Sequence, residues 1–267
     1  MNILALLRSP QFSPNSVEKD RAIMMAVADI LRRVGHVVEV VQEEAHPQAA
    51  PDVVLTMGRL PATLKWLEGL SSWIVNTPQS VRLCSDRCRL TTVMRRLQMP
   101  LPPDRGNKGY WLKRGDASAQ TAADVVYSAT ETELQAHIRT FEERGISQYV
   151  VQSHVEGDLV KFYGVRGTAF FRYFYPTDDG DMKFPAVERS GKSRHYSFSV
   201  DRLHHDAERL AQAIALDVYG GDCIVRSDGT YCLIDYNDWP SFSRCRDEAA
   251  EAIAGLLIER KIDGKEF

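Results

Sequence analysis

The sequence predicts an α/β region with a parallel sheet at the N-terminus, followed by a larger α+β region. Over the first third of the chain, short apolar segments alternate with helical segments, which is typical of parallel strands joined by crossover helices. After Tyr110, strand segments follow one another across short turns and favour antiparallel pairing. The 267 residues are enough for several small lobes that share a cleft.

Four strands and an amphipathic helix are predicted in the first third. The strands are the apolar segments NILALL, HVVEVVQ, PDVVLTM and SSWIVN. Between the first two, apolar residues at i, i+3 and i+4 spacing predict a helix from about Ser16 to Val34, which Gly35 is placed to end. This order of elements predicts a domain over residues 1–78.

An arginine-rich helical stretch over 78–99 and the Pro- and Gly-rich segment PLPPDRGNKG separate this domain from the rest. Thr130 and Glu133 form a capping-box pattern at the start of the next predicted helix. That helix lies within the order YWLKRG (strand), DVVYSA (strand), TETELQAHIRTFEERG (helix) and SQYVVQSHV (strand). These elements predict a central lobe over residues 79–153.

A third section, over residues 154–267, closes the chain. It begins with the strands LVKFYGV and TAFFRYFY, and a polar loop then runs from Thr177 to about Ser199. The next elements are a helix over about 200–216, the hairpin GGDCIVRSDGTYCLIDYND and a helix over about 246–261. The Ser-Asp-Gly sequence in the hairpin is a strong turn signal.

Composition excludes several classes of function. A net charge of −3 argues against a general nucleic-acid binder, which would carry a basic excess. No apolar run reaches the roughly 18 residues of a membrane span, and no signal-peptide pattern opens the chain. Five cysteines without framework spacing favour reduced thiols. We therefore expect a cytoplasmic protein with no membrane or nucleic-acid partner; the aromatic-rich strand TAFFRYFY leaves a homo-oligomer open.

The closing hairpin predicts a magnesium site. Asp235 and Asn237 are two residues apart in one strand and so share a face, and a tight hairpin brings Asp222 of the partner strand within reach. Carboxylate and amide oxygens suit Mg²⁺ that also holds nucleotide phosphates. The alternative is that these are ordinary polar residues at a turn and a strand edge.

Two lysines stand in otherwise apolar strands. Lys113 lies in WLKRG and Lys161 in LVKFYG, on either side of the strand SQYVVQSHVEG. In this arrangement both ammonium groups can hold phosphate oxygens while the strand edge meets a nucleotide base. The alternative is that each lysine simply faces solvent.

The order of these features resembles the ATP-grasp superfamily, in particular the branch with the ribosomal-protein glutamate ligases, glutathione synthetase and inositol polyphosphate kinases. The similarity extends to VNTPQSVRLCSDRCRLTTVMRRLQMPLPP, which resembles the segment that joins the pre-ATP domain to the ATP-binding lobe. It covers nearly the whole chain. It implies an ATP-grasp fold in which a parallel-sheet pre-ATP domain precedes two α+β lobes enclosing ATP, with one or two Mg²⁺ ions or Mn²⁺ in their place.

The resemblance also implies roles for single residues. Lys113 and Lys161 would contact the phosphates, and Arg172 with Lys161 would stabilise the transferred phosphoryl group. The hinge that meets adenine would consist of Gln152, Ser153, His154 and Val155, and Asp158 would contact the ribose. The metal ligands would be Asp222, Asp235 and Asn237. The chain departs from the family in three places. The loop KRGDASAQTAAD is nearly free of glycine, Asp235 replaces the commoner Glu, and Pro240-Ser241 replaces Pro-Gly.

The acceptor is the least defined part of the prediction. Arg8 and Arg59 each follow a predicted parallel strand, where ligands of open α/β sheets bind, and Arg194 lies in the loop KSRHYS. These arginines are candidates for holding an anionic small-molecule or peptide acceptor. We expect a carboxylate–amine ligase that works through an acyl-phosphate, because most members of the superfamily are ligases. The alternatives are a kinase for an inositol phosphate-like hydroxyl and a non-catalytic nucleotide-binding module.

Overall fold

A computed structural model describes residues 1–13, 16–47, 50–116, 121–179 and 191–262. It contains three sheets, each formed by a continuous part of the chain: a four-stranded sheet at the N-terminus, a three-stranded sheet in the centre and a four-stranded sheet at the C-terminus. Parts of two predicted loops, KRGDASAQTAAD and the polar loop between Thr177 and Ser199, lie outside the described residues.

The N-terminal sheet is parallel, as predicted, with strand order β2-β1-β3-β4. Its strands are β1 (Asn2–Leu7), β2 (Val37–Gln42), β3 (Val53–Thr56) and β4 (Trp73–Val75). The helices of this region are α1 (Val17–Arg33) and α2 (Pro61–Glu68). Parallel strands end at the same edge of a sheet, so the loops after all four strands lie on one side of this domain.

The predicted helix over 78–99 is two helices, α3 (Pro78–Ser85) and α4 (Arg87–Arg96). Asp86 separates them because its backbone is extended, with φ −98° and ψ 93°, and its carboxylate accepts the amide proton of Arg89. A carboxylate in this position caps a new helix. The break places Arg87 at the first position of α4.

The central sheet is antiparallel with order β6-β5-β7, as predicted. Its elements are β5 (Tyr110–Arg114), β6 (Val125–Ser128), α5 (Glu131–Glu143) and β7 (Tyr149–Ser153). Thr130 caps α5 through the amide of Glu133, so the helix begins where its capping residues predict. Leu112 packs on Leu134 and Phe141 of this helix, which leaves the other face of β5 directed away from α5.

The C-terminal sheet is antiparallel with order β11-β10-β8-β9. Its strands are β8 (Asp158–Val165), β9 (Phe171–Phe174), β10 (Val218–Val225) and β11 (Tyr231–Asp238). The last helices are α6 (Val200–Ala213), which covers one face of this sheet, and α7 (Arg246–Ile262), which packs against α1. None of the helices within the described ranges has the length and apolar character that a membrane span requires.

Candidate active site

The strand register of the C-terminal sheet places three charged residues in one row. Asp222 of β10 lies directly opposite Lys161 of β8 on one side and Asp235 of β11 on the other. Directly opposite residues share a face of a sheet, so these side chains project together. Lys161 Nζ donates to both carboxylate oxygens of Asp222, at 2.7 and 2.9 Å. The fold therefore brings together two of the predicted metal ligands and a predicted phosphate contact.

Two further rows lie on the same face, one on each side of the charged row. On the side of residue 159 the row is Leu159, Ile224 and Cys232, and with Val155 and Ile234 it forms a separate apolar cluster. On the other side the row is Tyr163, Gly220 and Asn237. This face therefore passes from apolar to charged to polar along β8.

Lys113 reaches the charged row from the central sheet. Its Nζ donates to the carbonyl oxygen of Ile234 at 2.7 Å, and the residue is 8% exposed. Burial lowers the pKa of this lysine to about 8, against the opposing effect of Asp235. The two lysines predicted to hold phosphates thus both reach the β10–β11 hairpin, from different sheets.

Arg87 is a residue of this site that the sequence analysis did not single out from its arginine-rich segment. Its Nη1 donates to the carbonyl oxygen of Arg114 at 2.8 Å, and its Nη2 lies 3.8 Å from Asp235 Oδ1. Burial alone would raise the pKa of Asp235, but Arg87 and Lys113 outweigh it and lower that pKa. The available signal was Asp86, whose cap turns α4 so that its first residue meets β11.

The hinge between the two antiparallel sheets carries an aromatic cluster. Trp111 and Lys113 are two residues apart in β5 and share the face that α5 does not cover. Trp111 Nε1 donates to His154 Nδ1 at 3.1 Å, and Tyr127 packs edge-on against both rings at 5.3 and 5.6 Å. Gln152 lies opposite Trp111 and shares its face.

Within the described residues, the hinge backbone leaves the Val155 amide without an acceptor. The amides of Ser153 and His154 donate to the carbonyl oxygens of Pro103 and Gly109. The Val155 amide donates to no atom of the residues that the structure describes. The Ser153 side chain lies on the opposite face of β7 from Gln152, which leaves only its backbone for a ligand at the hinge. Val155 therefore offers a backbone donor beside the apolar cluster.

A cavity of about 250 Å³ lies between the loops of the N-terminal sheet and the charged row. Its charged lining residues are Arg8, Arg59, Lys161, Asp20, Asp222 and Asp238, and polar groups from Ser13, Ser16, Tyr163, Asn237 and Ser241 complete it. Three cationic and three anionic side chains make the lining neutral overall. Arg8 and Arg59 thus line one cavity with two of the three predicted metal ligands, Asp222 and Asn237.

Solved structures with this architecture are similar over nearly their full length. D-alanyl-alanine synthetase A from Vibrio cholerae superposes with a TM-score of 0.69 at 11% identity and covers 98% of each chain. D-alanine–D-alanine ligase from Bacillus anthracis gives 0.63 at 13% identity over 99% of this chain and 100% of its own. A RimK domain ATP-grasp protein from Sphaerobacter thermophilus gives 0.63 at 18% identity, over 95% and 98%.

The chain has the ATP-grasp fold. This confirms the predicted fold class, with a parallel N-terminal sheet before two antiparallel sheets. No protein-family model and no curated protein matches the sequence.

The donor set of this ATP-grasp cleft fits Mg²⁺. Asp222, Asp235 and Asn237 carry oxygen ligands on one face of the sheet. No group of three His, Cys, Asp or Glu side chains suited to a metal occurs within the described ranges, and this set contains only two such residues. Lys161 donates to both carboxylate oxygens of Asp222, so a metal ion bound to Asp222 would have to displace this ion pair.

Two predicted residues lie on the other face of the C-terminal sheet. Asp158 is three residues from Lys161 in β8, so the alternation of the strand directs it away from the charged row. Its carboxylate accepts the backbone amides of Arg194 at 2.7 Å and Tyr196 at 2.8 Å. The geometry supports neither a ribose contact for Asp158 nor an acceptor contact for Arg194, because Asp158 instead holds the loop that carries Arg194 into α6.

Arg172 also lies outside the ATP-grasp cavity. It is opposite Tyr163 in the edge strand β9, but its side chain is 44% exposed and its Nε donates to Glu248 of α7 at 2.8 Å. The geometry therefore does not support the predicted role on the phosphoryl group. The strand spacing that suggested Arg172 is correct, and a tertiary ion pair draws its guanidinium elsewhere.

Proposed function

We propose that the protein is a Mg²⁺-dependent ATP-grasp ligase that activates a carboxylate as an acyl-phosphate and joins it to an amine. The observation that carries this proposal is the convergence of the buried Lys113 and the half-buried Lys161 with two carboxylates at the edge of a polar cavity. Lys113 and Lys161 come from different sheets and meet at Asp222 and Asp235. Such a site combines phosphate binding, metal binding and an adjoining place for an acceptor.

Each row of the C-terminal sheet has a part in this proposal. The apolar cluster around Leu159 and the free Val155 amide bind the nucleobase, in the manner of a mostly apolar pocket with one oriented polar group. Lys113, Lys161 and Arg87 hold the phosphates as fixed cations. When bound at Asp222, Asp235 and Asn237, Mg²⁺ supplies further neutralisation of the phosphate charge. The third row, with Tyr163, faces the acceptor.

The reaction proceeds in two balanced steps. A carboxylate oxygen attacks the γ-phosphorus of ATP, the bond to the bridging oxygen breaks, and ADP leaves. The amine nitrogen then attacks the acyl carbon, loses a proton, and inorganic phosphate leaves with the formation of an amide. Lys113 and Lys161 stabilise the charge that moves onto the phosphate oxygens in the first step.

The charges of the cavity favour a ligase acceptor over a phosphorylated polyol. Arg59 is paired with Asp238, and Arg8 with Asp20 and Asp238, so neither guanidinium brings an uncompensated charge. A polyanion needs a net positive site, whereas a small acceptor of low net charge fits a neutral one. We therefore propose, within the expected anionic acceptors, a small carboxylate of low net charge that is joined to an amine, as the names of the ligase neighbours also suggest.

The direct test is turnover of Mg·ATP with a panel of amino acids, small peptides and inositol phosphates, with product masses measured. A product that corresponds to condensation, together with ADP and free phosphate, supports the ligase. A product heavier by one phosphoryl group on an inositol phosphate contradicts it and establishes a kinase. Nucleotide binding without turnover of any acceptor favours the non-catalytic module.

Asp235→Asn separates an enzyme from a binding module. We expect the variant to lose Mg²⁺-dependent turnover by about 100-fold or more, since one charged metal ligand is gone, and to keep its fold. Asp228→Asn is the matched control, because Asp228 is an exposed carboxylate in the turn of the same hairpin. Unchanged turnover in Asp235→Asn would remove the metal assignment.

A further inference from the structure

Asp238, the last residue of β11, is enclosed by two arginines of the N-terminal domain. Its side chain is fully buried, and those of Arg8 and Arg59 are 8% and 10% exposed. Arg59 binds it through Nη2 at 2.5 Å and Nε at 3.4 Å, and Arg8 Nη2 lies 3.6 Å from the second oxygen. The two arginines follow β1 and β3. The Asp238 carboxylate therefore joins two loops of the N-terminal domain to β11, the strand that carries the proposed metal ligands Asp235 and Asn237.

The backbone that follows Asn237 is held in an unfavourable conformation. Trp239 has φ 37° and Phe242 has φ 48°, in the left-handed region that residues with side chains rarely adopt. Arg8 Nη2 donates to the carbonyl oxygen of Trp239 at 3.0 Å, and the buried indole donates to Val75 at 3.4 Å. Strain of this kind persists only where surrounding contacts impose it, and it is concentrated at functional sites.

Glu43 fixes the loops that carry both arginines. Its buried carboxylate accepts the backbone amides of Ser9 at 2.6 Å, Arg59 at 2.6 Å and Leu60 at 2.7 Å. Three amides on one carboxylate orient both loops relative to the end of β2. Arg8 and Arg59 therefore contact Asp238 from fixed positions, and these contacts hold the end of β11 in place.

We propose that Asp238 is a positioning residue for the metal site: through Arg8 and Arg59 it fixes the neighbouring Asn237 where a divalent cation binds. This rests on the proposed function, because it presupposes the metal at Asp222, Asp235 and Asn237. Groups that orient metal ligands in this way change metal affinity by about 10- to 100-fold when they are removed. Asp238 binds Arg8 and Arg59 rather than the proposed phosphate contacts Lys113 and Lys161, so we expect metal-free nucleotide binding not to depend on Asp238.

The test uses the full chain, a non-hydrolysable ATP analogue and Mn²⁺ as a paramagnetic probe. Electron paramagnetic resonance measures Mn²⁺ binding to the protein–analogue complex, and calorimetry measures analogue binding without metal. For Asp238→Asn we expect Mn²⁺ affinity to fall about tenfold or more, while metal-free analogue affinity stays within about twofold. Asp238→Glu, which keeps the charge, is expected to restore part of the Mn²⁺ affinity.

Asp206→Asn is the matched control. Asp206 is a buried carboxylate of α6 that accepts the hydroxyl of Tyr231 at 2.7 Å and so supports β11 from its other end. We expect it to lower the stability of the fold and to leave Mn²⁺ affinity unchanged. An equal loss of Mn²⁺ affinity in Asp206→Asn and Asp238→Asn would overturn the proposal, because the effect would then be general loosening of the sheet.

A second variant covers the case in which Asp238→Asn does not fold, since it leaves two buried guanidinium groups with one partner fewer. Arg59→Lys keeps the positive charge but removes the two-pronged contact with Asp238. Reduced Mn²⁺ affinity in this variant supports the proposal, and full Mn²⁺ affinity overturns it. Wild-type protein that binds the analogue but not Mn²⁺ refutes the proposed metal site itself, and with it this role for Asp238.

Discussion

Lys113 and Lys161 carry the same functional group in different surroundings. Lys113 is buried against a neutral carbonyl oxygen, and the loss of hydration lowers its pKa to about 8. Burial acts in the same direction on Lys161, but the carboxylate of Asp222 outweighs it and raises that pKa. Lys161 is therefore charged throughout the neutral range, whereas Lys113 begins to lose its proton just above it.

This difference predicts a pH dependence of ATP binding. The protonated form of Lys113 binds phosphate oxygens, and its pKa in the free protein is about 8, so ATP affinity should fall as pH rises from 7 to 9. The decrease approaches but does not exceed tenfold per unit for one proton. Calorimetry at several pH values checks this, with proton uptake on binding near pH 8. The Lys113→Met variant should bind ATP more weakly and lose this pH dependence. If the ATP affinity of the wild-type protein does not change between pH 7 and 9, the assignment is contradicted.

At the residue scale, sequence spacing predicts what depends on strand alternation and hairpin pairing. The turn signal alone predicts that the hairpin brings Asp222 near the end of β11. Asp235 lies directly opposite Asp222 only because a β-bulge at Ile234 shifts the register by one residue, which the turn signal does not predict. Arg172 and Arg87 show the limit. Glu248 is 76 residues from Arg172, and Asp235 is far from Arg87 along the chain, so neither ion pair leaves a local pattern.

Among the elements, the β10–β11 hairpin depends on close packing at Gly221. A Cβ atom at this position would lie 2.5 Å from Phe162 Cζ and 2.6 Å from the carbonyl oxygen of Asp235. Real Cβ atoms do not approach backbone so closely, so any side chain here must displace β11. The spacing between Asp222 and Asp235 thus relies on a residue without a side chain.

We therefore expect Gly221→Ala to destabilise the protein by about 1–3 kcal/mol and to reduce Mg·ATP binding, because the added methyl pushes β10 and β11 apart. Chemical denaturation and calorimetry measure the two effects. Gly255→Ala in α7 is the control: a Cβ there meets nothing within 4 Å, and alanine favours a helix by up to about 1 kcal/mol. Equal stability of the two variants would show that β11 adjusts without loss.

Elements were predictable where periodicity is strong and boundaries where caps are present. Helix α1 and the capped start of α5 follow directly from apolar spacing and from Thr130. The break at Asp86 was missed because arginines on both sides of it keep a helical pattern, and the cap depends on one side chain and one amide. Strand β9 is shorter than TAFFRYFY because Phe171–Phe174 alone pairs with β8.

For the whole molecule, the loops after the N-terminal strands hold the start and end of the β10–β11 hairpin. Arg8 follows β1 and Arg59 follows β3, and Asn76 follows β4. Asn76 is fully buried; its Oδ1 accepts the amides of Asp217 and Val218, and its Nδ2 donates to the Val218 carbonyl oxygen, all at 2.8 Å. The N-terminal domain therefore helps to hold the strands of the proposed metal site in place.

Removal of the Asn76 side chain tests this support. Asn76→Ala leaves three backbone groups without their partner inside the protein, and we expect a loss of about 2–4 kcal/mol in the free energy of unfolding. Urea unfolding followed by circular dichroism measures it, with Asn107→Ala on an exposed loop as the control. A change below about 0.5 kcal/mol would mean that other contacts suffice to join the two domains.

These long-range contacts explain why the sequence did not reveal the support. Arg59 and Asp238 lie 179 residues apart, and Asn76 and Val218 lie 142 apart. Each residue alone is an ordinary polar residue near the end of a strand. Only the folded structure shows that Arg8 and Arg59, which were expected to bind an acceptor, form ion pairs with the buried Asp238.

The alternation of β8 also limits how the cleft can change. Tyr163, which lines the cavity, is four positions after Leu159 of the apolar cluster, and at about 3.3 Å per residue the two are roughly 13 Å apart along the strand. A single inserted residue between them would turn one end of the strand away from the cleft, as a register slip does. The reach from base to acceptor therefore changes by two residues at a time, unless a β-bulge absorbs a single extra residue as Ile234 does in β11.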